Sequence, residues 1–231
     1  MRVILFDIDG TLILTGGAGL DALTRAFHDL HGIERASEGV EFHGRTDPLI
    51  LDSIAERHLG RALLPAELDA ILERYLVHLG DTLESRPYRV LPGARAIVDA
   101  LAASGALLGL ATGNVEPAAW EKLRRGDLDR YFSFGGFGSD SRDRAELTRL
   151  AVERGRERAG GACEMLLVGD TIHDVRCAQA VGVPILAVAT GNASVEALQA
   201  AGADWAVPSL EDPRVWPVFG LADPRPAGAP R

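Results

Sequence analysis

Short apolar runs recur along the chain at 3–6, 106–111, 165–168 and 184–189, with a weaker one at 205–207. Each ends in a polar or Gly-rich turn. Segments with helical spacing follow at 93–103, 115–125, 143–159, 172–181 and 194–201. Strands buried on both faces read as continuous apolar runs, and their alternation with helices predicts an α/β fold built on a parallel sheet. Residues 16–88 break this alternation. They hold no strand-like run, only helical patterns at 18–31, 47–58 and 65–84, so a helical insert is expected between the first strand and the rest of the sheet. Thr15-Gly16-Gly17-Ala18-Gly19 and Ser85-Arg86-Pro87-Tyr88 read as its hinges. The division expected is a core of 1–15 and 89–210, an insert of 16–88 and a Pro-rich tail of 211–231, loosely ordered toward its end.

In an open parallel sheet, ligands bind beyond the carboxyl ends of the strands. There the sequence places Asp7-Ile8-Asp9-Gly10-Thr11 after the first run, Thr112-Gly113-Asn114 after the second, and Gly169-Asp170-Thr171 with Asp174 after the third. If these strands are neighbours, Asp7, Asp9, Asp170 and Asp174 gather in one crevice. Four carboxylates cannot all ionise in a small volume unless a cation neutralises them. An all-oxygen set favours a hard ion, and Mg²⁺ is the usual choice when a phosphate adds an oxygen of its own.

Composition narrows the field. The 231 residues carry a net charge of −9 and show no basic stripe, which argues against a sequence-independent grip on nucleic acid. No run approaches the roughly 20 apolar residues of a membrane span. Two cysteines, Cys163 and Cys177, are too few for a disulfide framework and are read as packing residues of a reducing compartment. The first ten residues, MRVILFDIDG, form neither a signal peptide nor an anchor, so a cytoplasmic location is expected. Lys122 is the single lysine; every other strong cation is an arginine. TGGAG lacks the Gly-Lys-Ser/Thr of a phosphate-binding P-loop and reads as a flexible hinge.

FDIDGTL at 6–12, ATGN at 111–114 and VGDTIHD at 168–174 together resemble the first, second and fourth motifs of the haloacid dehalogenase (HAD) superfamily, over roughly residues 2–210. The resemblance is to the phosphoglycolate phosphatase-like subgroup, with a Rossmann-like core and an all-helical cap between the first two motifs. It implies a phosphatase acting on a small phosphate ester. Asp7 would be the nucleophile and form an aspartyl-phosphate; Asp9 would be the general acid and base. Mg²⁺ would be held by Asp7, the backbone carbonyl of Asp9 and Asp170. Asp174 would bind a metal water or orient Asp170. Thr112 and the amides of Gly113 and Asn114 would hold phosphoryl oxygens.

The family's third motif is normally a lysine, and none stands in GSDSRDRAELTRLA (138–151). By the resemblance Arg144 is matched to that lysine, with Arg142, which a gapless count favours, as the alternative; arginine adds a two-pronged contact to phosphate. Within the cap, Glu41-Phe42-His43-Gly44-Arg45-Thr46-Asp47 resembles the segment that reaches the active site in related proteins. Arg45 leads as the specificity residue, followed by Thr46 and His43, and Thr46 serves equally well as a helix N-cap. His173 reads as a surface group, since Mg²⁺ rarely recruits imidazole.

Rival readings share the fold. A haloacid dehalogenase normally lacks an acid at the position of Asp9, and a phosphonatase needs a cap lysine that this chain lacks. A phosphoglucomutase-like transferase uses the same motifs. A catalytically idle binding protein would fit the missing third-motif lysine. The sequence does not set the oligomeric state.

Overall fold

A computed structural model describes residues 1–224. Six strands form one parallel sheet in the order β5-β4-β1-β6-β7-β8. Its centre is β1 (Arg2–Phe6), flanked by β4 (Leu107–Ala111) and β6 (Glu164–Gly169). β7 (Ile185–Val188) and β8 (Trp205–Val207) extend one side, and β5 (Gly135–Gly136) closes the other. Val3, Ile4, Leu5 and Phe6 are all buried, because helices cover both faces of the sheet. Ile4, Phe6, Leu108 and Leu110 join one apolar cluster; Val3, Leu5, Leu167 and Ile185 join another.

The helices α4 (Ala94–Ala103), α5 (Glu116–Arg125), α6 (Arg144–Ala159), α7 (Ile172–Val181) and α8 (Val195–Ala200) fall where the apolar spacing predicts them. The strand runs are placed equally well, including the weak one at β8. β5 has no apolar signal at all, since its two residues are glycines. The pairing Leu110–Gly135 and Ala111–Gly136 makes it a strand.

Residues 16–88 hold α1 (Ala18–His31), α2 (Asp47–Leu59) and α3 (Pro65–Ser85), which enclose a second apolar cluster around Leu23, Phe27, Leu51, Ile54 and Tyr75 that Val115 and Ala118 of the core complete. Where the chain leaves and rejoins the core, β2 (Ile13–Leu14) pairs antiparallel with β3 (Arg89–Val90). This ribbon is too short to show in the hydrophobic pattern.

The segment from 211 is not loose as far as it is described. α9 (Val215–Val218) lies within it, and Val215, Trp216 and Phe219 are buried in the core, Phe219 with its ring stacked on Phe6. The prolines hide an anchor made of large apolar side chains. Residues 225–231, the end of the expected tail, lie outside the described residues. Among the described residues no helix is long and apolar enough to cross a membrane.

Candidate active site

The carboxyl ends of β1, β4 and β6 open together on a cavity of about 560 Å³ between core and cap. Asp7 follows β1 directly, its N–H still donating to Val168 of β6 at 2.9 Å. It is almost fully buried, and that burial, only partly offset by Arg144, pushes its carboxyl up to about 7. Gly10 then turns the chain with φ +89°, a left-handed conformation that costs glycine little. A Cβ there would lie 2.4 Å from Asp170 Oδ2, so the turn needs glycine for space as well.

Asp170 ends β6 and accepts the Thr11 hydroxyl at 3.0 Å. Burial first, then the neighbouring Asp174 and Asp7, holds its carboxyl well above the usual range. Asp174 sits one turn into α7. One of its oxygens takes the N–H and hydroxyl of Thr171 at 2.9 and 2.7 Å, closing a capping box. The other takes Arg144 Nη2 at 2.6 Å. Burial acts to raise Asp174, but Arg144 and Thr171 outweigh it and leave its carboxyl below the ordinary value.

Arg144 is the first residue of α6, capped by Asp143, whose side chain accepts the Ala145 N–H at 2.8 Å. A cation at a helix N-terminus opposes the macrodipole. Two carboxylates hold this one there: Asp174, and Asp7 at 3.2 Å. Arg142 turns outward and meets Asp52 of the cap at 3.0 Å. Of the two arginines, Arg144 is the one beside Asp7.

Three acids gather and the fourth stands apart. Asp7, Asp170 and Asp174 present oxygens all within 4.8 Å of one another. Asp9 instead turns its carboxylate to Lys122 Nζ at 2.7 Å and to the Asn114 side-chain amide at 2.8 Å. The Asn114 amide also donates to Thr112 Oγ1 at 2.8 Å, while its carbonyl accepts from Lys122. The Gly113 N–H donates to no other group among the described residues, which leaves it free for a ligand oxygen.

Sequence reasoning passed over Lys122, the chain's single lysine. The signal was there: Ala118, Ala119, Lys122 and Leu123 form the buried stripe of α5, and a lysine belongs in such a stripe only with a partner. Burial works against its charge, but Asp9 and Asp47 outweigh that and raise its pKa. Asp47 and Tyr75 were also passed over as site residues, although both line the cavity. Asp47 opens α2 and accepts the Val115 N–H at 2.9 Å. Its own N–H donates to Gly113 O at 2.8 Å. Burial pushes its carboxyl up to about 6, with Lys122 opposing.

The cap segment therefore rests directly on the β4 loop. Gly113 permits this contact, since a Cβ there would stand 2.3 Å from Arg45 O. Thr46 occupies the N-cap position of α2 but makes no capping bond; its hydroxyl donates to Arg142 O at 3.1 Å across the interface. The Arg45 guanidinium is held within the cap by Ser53 Oγ at 3.0 Å and Glu41 O at 3.4 Å. His43 packs its ring on Phe42 at 4.1 Å between centroids, and exposed His173 faces Gly44.

A parallel sheet carrying acids at the ends of β1 and β6, under a helical cap, defines a hydrolase of known family. The family model of haloacid dehalogenase-like hydrolases matches residues 1–182, and the chain belongs to that family. Among curated relatives, a phosphoglycolate phosphatase of Mesorhizobium japonicum is 31% identical over 82% of this chain and 83% of its own. One from Rhodospirillum rubrum is 33% identical over 82% and 80%. Solved structures share the fold. A Pseudomonas syringae hydrolase superposes with TM-score 0.71 at 19% identity, covering 96% of this chain and all of its own. Rhodobacter sphaeroides CbbY in complex with phosphate gives 0.69 at 19%, covering 92% and 96%.

Proposed function

We propose that the protein is a Mg²⁺-dependent phosphatase that hydrolyses a small phosphorylated metabolite through an aspartyl-phosphate on Asp7. The observation that carries this reading is the placement of Arg144 against Asp7 and Asp174 beside a free Gly113 N–H. A nucleophile, a fixed cation and an amide donor thus surround one volume.

The donor set suits a hard cation. Asp7 and Asp170 are carboxylates raised first by burial and then by neighbouring acids, and among the described residues the Thr11 hydroxyl is the hydrogen-bond donor to the Asp170 side chain. Asp7, the Asp9 carbonyl and Asp170 would hold Mg²⁺, with Asp174, committed to Arg144 and Thr171, placing the residues around them. The ion supplies positive charge that keeps these acids ionised and stabilises charge on the phosphoryl oxygens.

Asp7 then attacks phosphorus as a carboxylate, forming its Oδ–P bond as the ester P–O bond breaks. Thr112 and the amides of Gly113 and Asn114 hold phosphoryl oxygens, and Arg144 offsets charge next to the nucleophile. Asp9 gives its proton to the departing alkoxide. It later takes one from the water that attacks the aspartyl-phosphate and releases inorganic phosphate, restoring Asp7. Asn114 and Lys122 fix the direction of the Asp9 carboxylate during both steps. The Asp47 clamp keeps the cap against the β4 loop and limits water access. Arg45 lines the cap side of the cleft, whereas Thr46, expected beside it, is fully buried on Arg142 O and does not line the cavity.

Phosphate release measured over phosphorylated metabolites with and without Mg²⁺ tests the reading, together with acid trapping of the phosphoprotein. The expected result is release only with the metal, and a trapped adduct lost in Asp7→Asn. Release without metal, or by Asp7→Asn, would overturn it.

A further inference from the structure

The relatives' name points to glycolate, a leaving group that carries a carboxylate. The cation inventory of this cavity points elsewhere. Among the described lining residues the strong cations are Arg45, Lys122 and Arg144. Arg144 lies between Asp7 and Asp174. Lys122 is bonded to Asp9 and Asn114 and faces Asp47. The Arg45 guanidinium donates to Ser53 Oγ and to the Glu41 backbone carbonyl within the cap. His43 is exposed at the rim, against Phe42.

A carboxylate on the leaving group would thus meet Asp9 and Asp47, and the one lining cation without a carboxylate partner among the described residues, Arg45, has its guanidinium turned to Ser53 Oγ and Glu41 O within the cap. An anion taken from water into such a site needs a partner of its own. The cap wall is meanwhile apolar, formed by Leu20, Leu23, Phe42 and Ile50. At about 560 Å³ the cavity also far exceeds a two-carbon acid.

One polar group of the cap is aimed into this space. Tyr75 is 1% exposed, yet its hydroxyl makes no hydrogen bond among the described residues and opens on the cavity. Both the Tyr75 hydroxyl and Lys122 Nζ stand over Gly19, 3.7 and 3.6 Å from where its Cβ would lie. The ring is buried while the hydroxyl is open only to the cavity, so a ligand oxygen there can take up a donor and acceptor that no group among the described residues uses.

We infer that the substrate is the phosphate monoester of an uncharged alcohol, its apolar part against Leu20, Leu23, Phe42 and Ile50 and an oxygen accepting from or donating to the Tyr75 hydroxyl. This rests on the phosphatase reading above and names the substrate class for that same site. Tyr75 is thereby a substrate-binding residue.

Three esters of unactivated alcohols separate the possibilities: phosphoglycolate, 2-hydroxyethyl phosphate, which replaces the carboxylate by a neutral hydroxymethyl group, and benzyl phosphate. With Mg²⁺ and the full chain, kcat/KM is expected to be about tenfold higher for 2-hydroxyethyl phosphate than for phosphoglycolate, and higher again for benzyl phosphate. Tyr75→Phe, which keeps the buried ring, should raise KM for 2-hydroxyethyl phosphate about fivefold to tenfold and leave that for benzyl phosphate unchanged. Phosphoglycolate turned over best by the wild type would overturn the inference and leave the phosphatase standing. An equal change for both neutral esters in Tyr75→Phe, or none, would overturn the role of Tyr75. Release from none of the three would overturn the phosphatase reading and this inference with it.

Discussion

Lys122 Nζ stands 2.7 Å from Asp9 Oδ2, so the only lysine of the chain serves Asp9, the proposed acid and base, rather than Asp7. The cation beside Asp7, the proposed nucleophile, is Arg144. The two cations divide the labour that the family's third-motif lysine suggests for one group. A lysine fits the first position as a compact charge between Asp9, Asn114 and Asp47. An arginine fits the second, where it spans two carboxylates.

Removing that lysine should act on turnover. Lys122→Met leaves Asp9 held by Asn114 alone, and kcat is expected to fall on the order of 10²-fold with KM little changed. Steady-state phosphate release reads the effect, and circular dichroism at the assay temperature checks that the fold persists. A fall in affinity without a fall in kcat would show that Asp9 does not depend on Lys122.

The two arginines before and within α6 should differ sharply. Arg144→Ala strands two buried carboxylates, at a cost of about 3–5 kcal/mol in metal-free protein. It should lose most activity. Arg142→Ala breaks an exposed pair with Asp52 and should change stability by less than about 1 kcal/mol. Thermal melts in chelator, alongside activity assays, rank them. The reverse order would move the functional cation two residues upstream.

Asp47 supplies a pH signature. Its carboxyl, pushed up to about 6 by burial, lies above the roughly 3.9 of an unfolded aspartate. Between those values the folded chain keeps a proton that the unfolded chain has lost. The stability contribution of this group is therefore present below pH ~4 and is lost as pH rises through about 6. Lys122, Asp9 and Tyr75 are the charged and titratable groups that face it. Asp47→Asn keeps an acceptor for the Val115 N–H and removes the titration. Its melting temperature relative to wild type should rise between pH 4 and pH 7, by the equivalent of about 3 kcal/mol at most. A constant difference across that range would show that the clamp stays ionised.

Gly10→Ala is expected to destabilise by more than about 1 kcal/mol, from the left-handed backbone alone, and to displace Asp170. Activity and Mg²⁺-induced stabilisation in a melt should both fall. An active variant that still gains stability from Mg²⁺ would mean that the Asp170 carboxylate can move aside without loss.

The sheet, its helices and the acids at its carboxyl ends are legible in the sequence because apolar runs and polar turns report burial locally. Asp7, Asp170 and Thr112 follow their strands directly, so strand placement carries them to the site. Lys122, Asp47 and Tyr75 are reached differently. Each lies on a helix whose orientation is set by packing between cap and core, and no local pattern states that relation. Lys122 alone left a trace, as a charge within an apolar stripe. β5 and α9 escaped for other reasons. Two glycines carry no hydrophobic signal, and prolines around Trp216 and Phe219 mask the anchor those side chains form.

The ribbon of Ile13–Leu14 with Arg89–Val90 brings both ends of the insert to neighbouring points, a strand spacing of about 5 Å apart. Whatever is spliced between those points leaves the register of β1, β4 and β6 untouched. Residues of α1–α3 that line the cavity can then change while the acids at the carboxyl ends of the sheet keep their places.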